Sequence, residues 1–115
     1  MSLIAEKFDE AMAAAEEGDR DYCVTLEVVG DSTRWIQLTW DSLNFAYPAT
    51  VPPMELLARY GIVAPEFVNL EDWRPEQYAT FSHAAEPRAE LVAFIEAYIA
   101  QVLGVAPTTE TLLQV

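Results

Sequence analysis

The strongest constraint on the fold is a stretch of period-two hydrophobic alternation between residues 22 and 47. Segments 22–29, 34–40 and 43–47 each alternate apolar and polar residues, which is the pattern of a strand with one buried face. The intervening segments, 30–32 and 41–42, are as short as hairpin turns and contain turn-forming residues. The sequence therefore predicts a three-stranded antiparallel meander.

Helical periodicity flanks the meander. Residues 2–17 repeat apolar side chains every three or four positions, which predicts an amphipathic helix with Ser2 as N-cap and Gly18 as its stop. Prolines 48, 52 and 53 end the meander, because proline cannot continue a hydrogen-bonded ladder. A short helix is predicted over 54–60, with Pro53 as its first residue and Gly61 at its end.

The second half of the chain is predicted to be irregular until its last helix. Residues 62–74 have no clean period and are interpreted as a structured connection, and Pro75 as the start of a helical turn through Tyr78 and Phe81. Pro87 is either a first-turn proline or a kink ahead of a long helix that Gly104 terminates. The wide apolar stripe of this helix should lie across the buried face of the meander; it comprises Leu91, Phe94, Ile95, Tyr98, Ile99, Val102 and Leu103.

These patterns predict one α+β domain spanning residues 1–115: an N-terminal helix, a three-stranded meander, a short helix and a long C-terminal helix packed on the sheet. The tail, 105–115, either docks through its Leu112-Leu113 pair or frays. No apolar run is long enough for a membrane helix, the N-terminus lacks the order of a signal peptide, and one cysteine cannot form an internal disulfide. We therefore expect a cytoplasmic protein.

Charge limits the partners. The chain has 19 acidic and 6 basic residues, a formal net charge of −13. Nucleic acids and anionic membrane surfaces are bound chiefly through Lys and Arg, so neither is an expected partner. A cationic or neutral protein segment is favoured, although the excess of carboxylates also serves solubility alone.

Residues that could support catalysis are sparse. Cys23 lies within a predicted strand, where a thiol is usually a small core hydrophobe, and His83 is the only histidine, so a metal site with two imidazoles is excluded. The neighbouring pairs Glu16/Glu17 and Glu71/Asp72 would diverge rather than converge on a substrate. We expect a non-enzymatic protein with no catalytic residue, metal or cofactor.

Trp35 is the most informative aromatic residue. It falls on the strand face opposite Ile36 and Leu38, among polar residues, so it is either covered by the N-terminal helix or a second subunit, or it contacts a partner. An edge of the short meander could also accept an extended peptide strand. The candidate partner surface comprises Glu27, Trp35, Gln37, Thr39 and Asn44.

Short motifs resemble a known superfamily over most of residues 3–113. They are the Trp-Ile-Gln-Leu strand centre at 35–38, the Leu-x-x-x-Gly at 57–61 followed by Pro65, the Asn-x-x-x-Trp at 69–73 and the Val-x-Gly-Val at 102–105. This order resembles the actinobacterial domains grouped with YbjN and the type III secretion chaperones, the TY-chap superfamily. Ile62 departs from the pattern, which usually has an aromatic residue there.

The resemblance implies a chaperone-like fold that binds protein or peptide clients, is often a homodimer and has no catalytic residues. We therefore expect a non-enzymatic, chaperone-like binding module. An acidic immunity or antitoxin-type inhibitor of a basic protein is the alternative, and it predicts a salt-sensitive complex. A small hydrolase or ligand-binding domain is a third hypothesis, which requires a concave pocket with converging carboxylates.

Overall fold

The computed structural model describes residues 2–84 and 87–115, which form an α+β fold of three α-helices and a six-stranded antiparallel sheet. A π-helical turn, Ile99–Leu103, extends the last helix. The elements in chain order are α1 Leu3–Glu16, β1 Val24–Val28, β2 Asp31–Leu38, β3 Ser42–Ala46, α2 Pro53–Arg59, β4 Val68–Arg74, β5 Tyr78–His83, α3 Arg88–Tyr98 and β6 Leu112–Gln114.

The predicted meander forms the centre of the sheet rather than the whole of it. Strand β2 pairs antiparallel with β1 and with β3, as the alternation predicts. The strand order is β4-β5-β3-β2-β1-β6, so the prediction of a three-stranded sheet is wrong in extent. Both edges of the meander pair with the chain's own strands, and neither can accept a peptide strand.

The two additional strands beside β3 replace the predicted connection and helical turn. Strand β4 is an edge strand whose register shifts between Leu70 and Asp72, and this bulge, with the polar residues around it, removes a clean alternation from the sequence. In β5 the alternation is present, with Ala79 and Phe81 buried, but the three-residue spacing of Tyr78 and Phe81 also fits a helix. The pairing of β5 with β3 and β4 makes this segment a strand rather than a helix, and local sequence does not show that pairing.

One face of the sheet packs against α1 and α3 and holds the aromatic core. Phe45 stacks on Tyr98 with ring centroids 4.0 Å apart, and Phe94 lies edge-on to Phe45 and Phe81 at 6.2 and 5.7 Å. The ring of Phe8 lies 5.6 Å from His83. The C-terminal helix thus packs across the meander as its apolar stripe predicts.

Both outer helices begin near the expected residues. The Ser2 hydroxyl accepts a hydrogen bond from the Ala5 amide at 3.2 Å, which caps α1 as predicted. Pro87 precedes α3 as its N-cap, so it does not kink the helix. Helix α2, Pro53–Arg59, matches the predicted short helix to within one residue.

The C-terminal tail docks. Gly104 ends the π-helical turn with a φ of 74°, a conformation that glycine adopts without strain, and the Arg34 guanidinium donates to the Leu103 carbonyl at 2.7 Å. The chain then returns to pair β6 with β1; the Val29 amide donates to the Thr111 carbonyl and the Val115 amide to the Thr25 carbonyl, at 2.9 and 3.0 Å. Of the two expectations for the tail, docking is the one observed.

Candidate partner-binding surface

The candidate surface is the face of the sheet opposite α1 and α3, which we call the open face. The register places Glu27 opposite Trp35, and Gln37 opposite Asn44. These four side chains are each partly exposed. Thr39 follows the last residue of β2, at the end of the same face. The sequence-predicted residues therefore lie together, although they do not have the same surroundings.

The end of the open face nearest β6 combines an acid with apolar side chains. Glu27 lies between Leu113 on β6 and Trp35 on β2, and its carboxylate makes no hydrogen bond or ion pair with any residue the structure describes. Leu113 and Val115 are 58% and 63% exposed. We call Glu27, Trp35, Leu113 and Val115 the β6 patch.

The centre of the open face is polar and internally bonded. The Asn44 amide donates to Gln37 Oε1 at 3.2 Å, and the Thr80 hydroxyl donates to Asn44 Oδ1 at 2.9 Å. Because Gln37 and Asn44 satisfy one another, a partner that bound them would first have to replace these bonds. Their pairing gives them a structural role beside any binding role.

Thr39 also has a local structural role. Its hydroxyl accepts hydrogen bonds from the Asp41 and Ser42 amides at 3.3 and 3.0 Å, and it lies 2.7 Å from the Ser42 hydroxyl. This arrangement closes the turn between β2 and β3. Of the five predicted residues, Glu27 and Trp35 are those with the most capacity for a new contact.

The far end of the open face, on β4 and β5, is acidic. The Tyr78 hydroxyl donates to an Asp72 carboxylate oxygen at 2.7 Å, and the Ser82 hydroxyl to Glu71 Oε1 at 2.6 Å. These residues were missed because β4 and β5 were not predicted as strands. The alternation of apolar and polar residues at 79–82 is the sequence signal that could have identified them.

Cys23 is exposed, so its assignment as a core residue is wrong. It directly precedes β1, and its sulfur lies 3.8 Å from the Thr25 hydroxyl oxygen, on the polar side of the alternation. Residues Val24 and Leu26 take the core positions. The only cysteine of the chain is thus a reporter position beside the open face.

His83 lies on the covered side, away from the candidate surface. It belongs to β5 rather than to a helix, and it is buried against Phe8. Its Nδ1 lies 2.9 Å from the Ala84 carbonyl oxygen, whereas its Nε2 has no hydrogen-bond partner among the described residues. Burial lowers the pKa of His83 below its usual value, although the nearby Asp41 charge opposes this shift.

Internal ion pairs engage most of the chain's few basic side chains. Four of the six basic residues pair with its own acids: Lys7 with Glu10, Arg34 with Asp31, Arg59 with Glu55, and Arg88 with Asp9. Arg20 lies 5.2 Å from the ring centroid of Trp40. Since acids outnumber bases 19 to 6, the surface potential is negative and favours a cationic partner.

Two concave sites lie beside α3. A cavity of about 540 Å³ lies between α3 and the loop after α2, and Glu90 is the acidic residue in its lining. A cleft of about 430 Å³ has two carboxylates, Glu6 and Glu96, with Thr108 and Thr109. Its lining has no histidine or cysteine, and Glu6 is an exposed first-turn acid of α1. The hypothesis of a small hydrolase or ligand-binding domain requires converging carboxylates. This cleft has two carboxylates, but neither is buried.

Within residues 2–84 and 87–115, no cluster of three or more His, Cys, Asp or Glu side chains is arranged to hold a metal ion. None of the helices in this part of the chain is both long and apolar enough to span a membrane. No protein-family model matches the chain, and neither a curated protein nor a solved structure is similar to it.

Proposed function

We propose that this protein is a non-enzymatic binding module that engages a protein or peptide partner through the β6 patch of the open face. The observation that carries the proposal is the position of Glu27 between a half-buried tryptophan and the exposed Leu113, with its carboxylate unpaired among the described residues. Contiguous exposed apolar side chains that are rimmed by polar residues are a common mark of an interaction site. The motif resemblance to chaperone-like domains supports the same class of function.

The chemistry of the β6 patch suits a lysine or arginine of the partner. The aliphatic stem of such a side chain can pack on Trp35 and Leu113 while its charged group pairs with Glu27. An aromatic residue and a charge in a partly desolvated setting are also the usual components of an interface hot spot. We place the complex in the cytoplasm, where an exposed free thiol such as Cys23 stays reduced.

A chaperone-like role and inhibition of a basic protein remain the two candidate forms of this binding. The acidic far end of the open face, with Glu71 and Asp72, favours the inhibitor, since it extends the negative surface beyond the β6 patch. The exposed Leu113 and Val115 favour a client with apolar segments. Affinity that falls steeply with added salt would indicate the inhibitor, because charge steering is screened.

The binding experiment uses Cys23 as the single attachment site for an environment-sensitive fluorophore. Purified proteins encoded beside this chain are titrated into the labelled protein, and the variants Glu27→Gln and Leu113→Ser are compared with it. Each variant should weaken binding by about tenfold, because each removes one component of the hot spot. Glu16→Gln on α1 and Met54→Ser on α2 are controls with comparable chemical changes on exposed residues outside β1, β2 and β6.

Equal affinities for all four variants would refute the β6 patch as the site. A solution mass twice that of the chain, returned to the monomer mass by Leu113→Ser, would instead assign the β6 patch to a homodimer. Labelling at Cys23 is checked against unlabelled protein by calorimetry, so that the fluorophore itself is not the binding determinant.

A further inference from the structure

We propose that a second surface, the groove between α3 and the loop after α2, docks a cationic amphipathic helix. This α3 groove is the cavity of about 540 Å³, and it is formed by other residues than the β6 patch. The inference therefore goes beyond the function proposed above and can fail independently of it.

The shape of the α3 groove fits a helix. Along α3 and its π-helical extension the lining includes Glu90, Ala93, Ala97 and Gln101, which are spaced by three or four residues and so lie on one side of the helix. This stripe spans about 16 Å at the helical rise per residue. The two alanines in its middle have no bulk beyond Cβ, so a partner helix can approach the backbone of α3 closely.

The opposite wall of the α3 groove is apolar and exposed. Val63 is 86% exposed, the highest value among the large hydrophobic residues of the described chain, and Tyr60 beside it is also exposed. Both side chains belong to the loop that follows α2, next to Pro65. An apolar face that covered Val63 and Tyr60 would remove this surface from water.

Charge selects a cationic occupant. Among the described residues, the lining of the α3 groove includes Glu90 and no lysine or arginine. Two bases are near the lining in sequence. Arg59, next to Tyr60, pairs with Glu55 at 2.8 Å. Arg88 pairs with Asp9 and donates to the Ala5 carbonyl at 3.3 Å, so it is directed toward α1. Glu66 follows the lining residue Pro65, and the whole chain carries a charge of −13. Lysines on the polar side of a docked helix would meet a negative surface.

A helical partner also forms its own backbone hydrogen bonds. The α3 groove is bounded by a helix and a loop, not by an open strand edge, so it offers no row of backbone donors and acceptors to an extended peptide. An extended chain pressed into it would leave main-chain groups without partners, whereas a helix bonds them internally.

The experiment measures binding of a labelled synthetic peptide to the full chain by fluorescence anisotropy. The peptide has leucine at positions i, i+3, i+4 and i+7 and lysine at the remaining positions, and its control has glutamate in place of each lysine. The lysine peptide should bind and the glutamate peptide should not. A third peptide, with a central proline that breaks the helix, should bind at least about tenfold more weakly.

Matched variants locate the site. Ala93→Lys should weaken binding of the lysine peptide by about tenfold, because it fills the floor and adds a like charge, whereas Ala13→Lys on the exposed side of α1 should change it less than about twofold. Val63→Ser should weaken binding by about threefold, with Val29→Ser as its control. Glu90→Gln should also weaken binding by about threefold, and its control is Glu110→Gln, which makes the same charge change in the tail.

Three results would overturn the proposal. Equal effects of each variant and its control would show that a cationic peptide binds to the negative surface without a defined site. Loss of binding in Glu27→Gln but not in Ala93→Lys would assign the peptide to the β6 patch and leave the function proposed above intact. A dimer in solution that Val63→Ser dissociates would show that a second copy fills the α3 groove.

Discussion

The two faces of one sheet differ in what holds their side chains in place. On the face covered by α1 and α3, aromatic rings contact one another across elements, as Phe45 does with Tyr98 at 4.0 Å. On the open face, polar side chains form hydrogen bonds with neighbours on adjacent strands, as Asn44 does with Gln37 and Thr80. The covered face therefore contributes most of the hydrophobic stabilisation, and the side chains of the open face can differ in chemistry without disturbing the core.

The largest expected difference in the free energy of unfolding is between substitutions at two adjacent residues of β3. Phe45→Ala should lower the free energy of unfolding by about 3–5 kcal/mol, because it leaves a cavity beneath Tyr98, Phe94 and Phe81. Asn44→Ala, on the open face, should cost about 1–2 kcal/mol through two lost side-chain hydrogen bonds. Urea unfolding at neutral pH measures both. A larger loss for Asn44→Ala would show that the open face contributes more stability than the aromatic core.

The same comparison can be made in the docked tail. Leu112 is buried and Leu113 is exposed on the other face of β6. Leu112→Ala should lower the free energy of unfolding by about 2–3 kcal/mol, and Leu113→Ala should change it by no more than about 0.5 kcal/mol. Chemical denaturation tests the pair, and amide hydrogen exchange at Val29 and Val115 reports whether β6 stays paired. Equal small effects would mean that β6 adds little to the fold.

A smaller effect is expected from the buried histidine. The pKa of His83 is lowered in the folded protein, so the unfolded chain takes up a proton first as pH falls. Its neutral form thus favours folding above about pH 6.5, and that contribution declines as pH falls until it is fully lost below the lowered folded-state pKa. We expect the free energy of unfolding to fall between pH 7.5 and 5.5 by at most about 1.4 kcal/mol, the limit that linkage sets for one proton with an unfolded-state pKa of about 6.5.

The His83→Leu variant isolates the contribution of His83 to the pH dependence of stability. Over the same pH interval the free energy of unfolding of the wild type should fall relative to that of His83→Leu. Subtraction of the two curves removes the effect of the 19 acidic residues, which both proteins share. Parallel curves would show that His83 is protonated as easily in the folded chain as in the unfolded one.

The contrast between faces extends to the two proposed surfaces. The β6 patch lies on the open face and depends on Glu27 and Trp35, whereas the α3 groove lies on the helical side and depends on Ala93 and Val63. Both combine apolar contacts with a carboxylate, which is the consequence of a chain with many apolar residues and a large negative charge. Variants in one surface should leave binding at the other unchanged.

Local sequence pattern was sufficient to predict elements whose structure depends on residues that are close together in the chain. The period-two alternation of 22–47 predicted the meander, the caps and spacing of α1 predicted its ends, and Gly104 predicted the end of the C-terminal helix. The alternation also predicted which side of β1 and β2 carries Glu27, Trp35 and Gln37. These features follow from steric and solvation effects between residues that are close in sequence.

Local pattern failed where strands pair over a distance. Edge strand β4 has a bulge and few apolar residues, so only its ladder with β5 makes it a strand. The tail had no decisive signal, and Leu113 became part of a candidate surface only because β6 pairs with β1. The α3 groove depends on how the loop after α2 is placed against α3, which no spacing within either segment specifies.

The sequence by itself determined the α+β class, the central meander, the acidic surface and the division of β1 and β2 into a core side and a polar side. Only the tertiary structure decided the width of the sheet, the burial of His83, the exposure of Cys23 and the residues that surround Glu27. The physical reason is that periodicity reports which side of an element avoids water, whereas the identity of its neighbour depends on contacts between residues far apart in the chain.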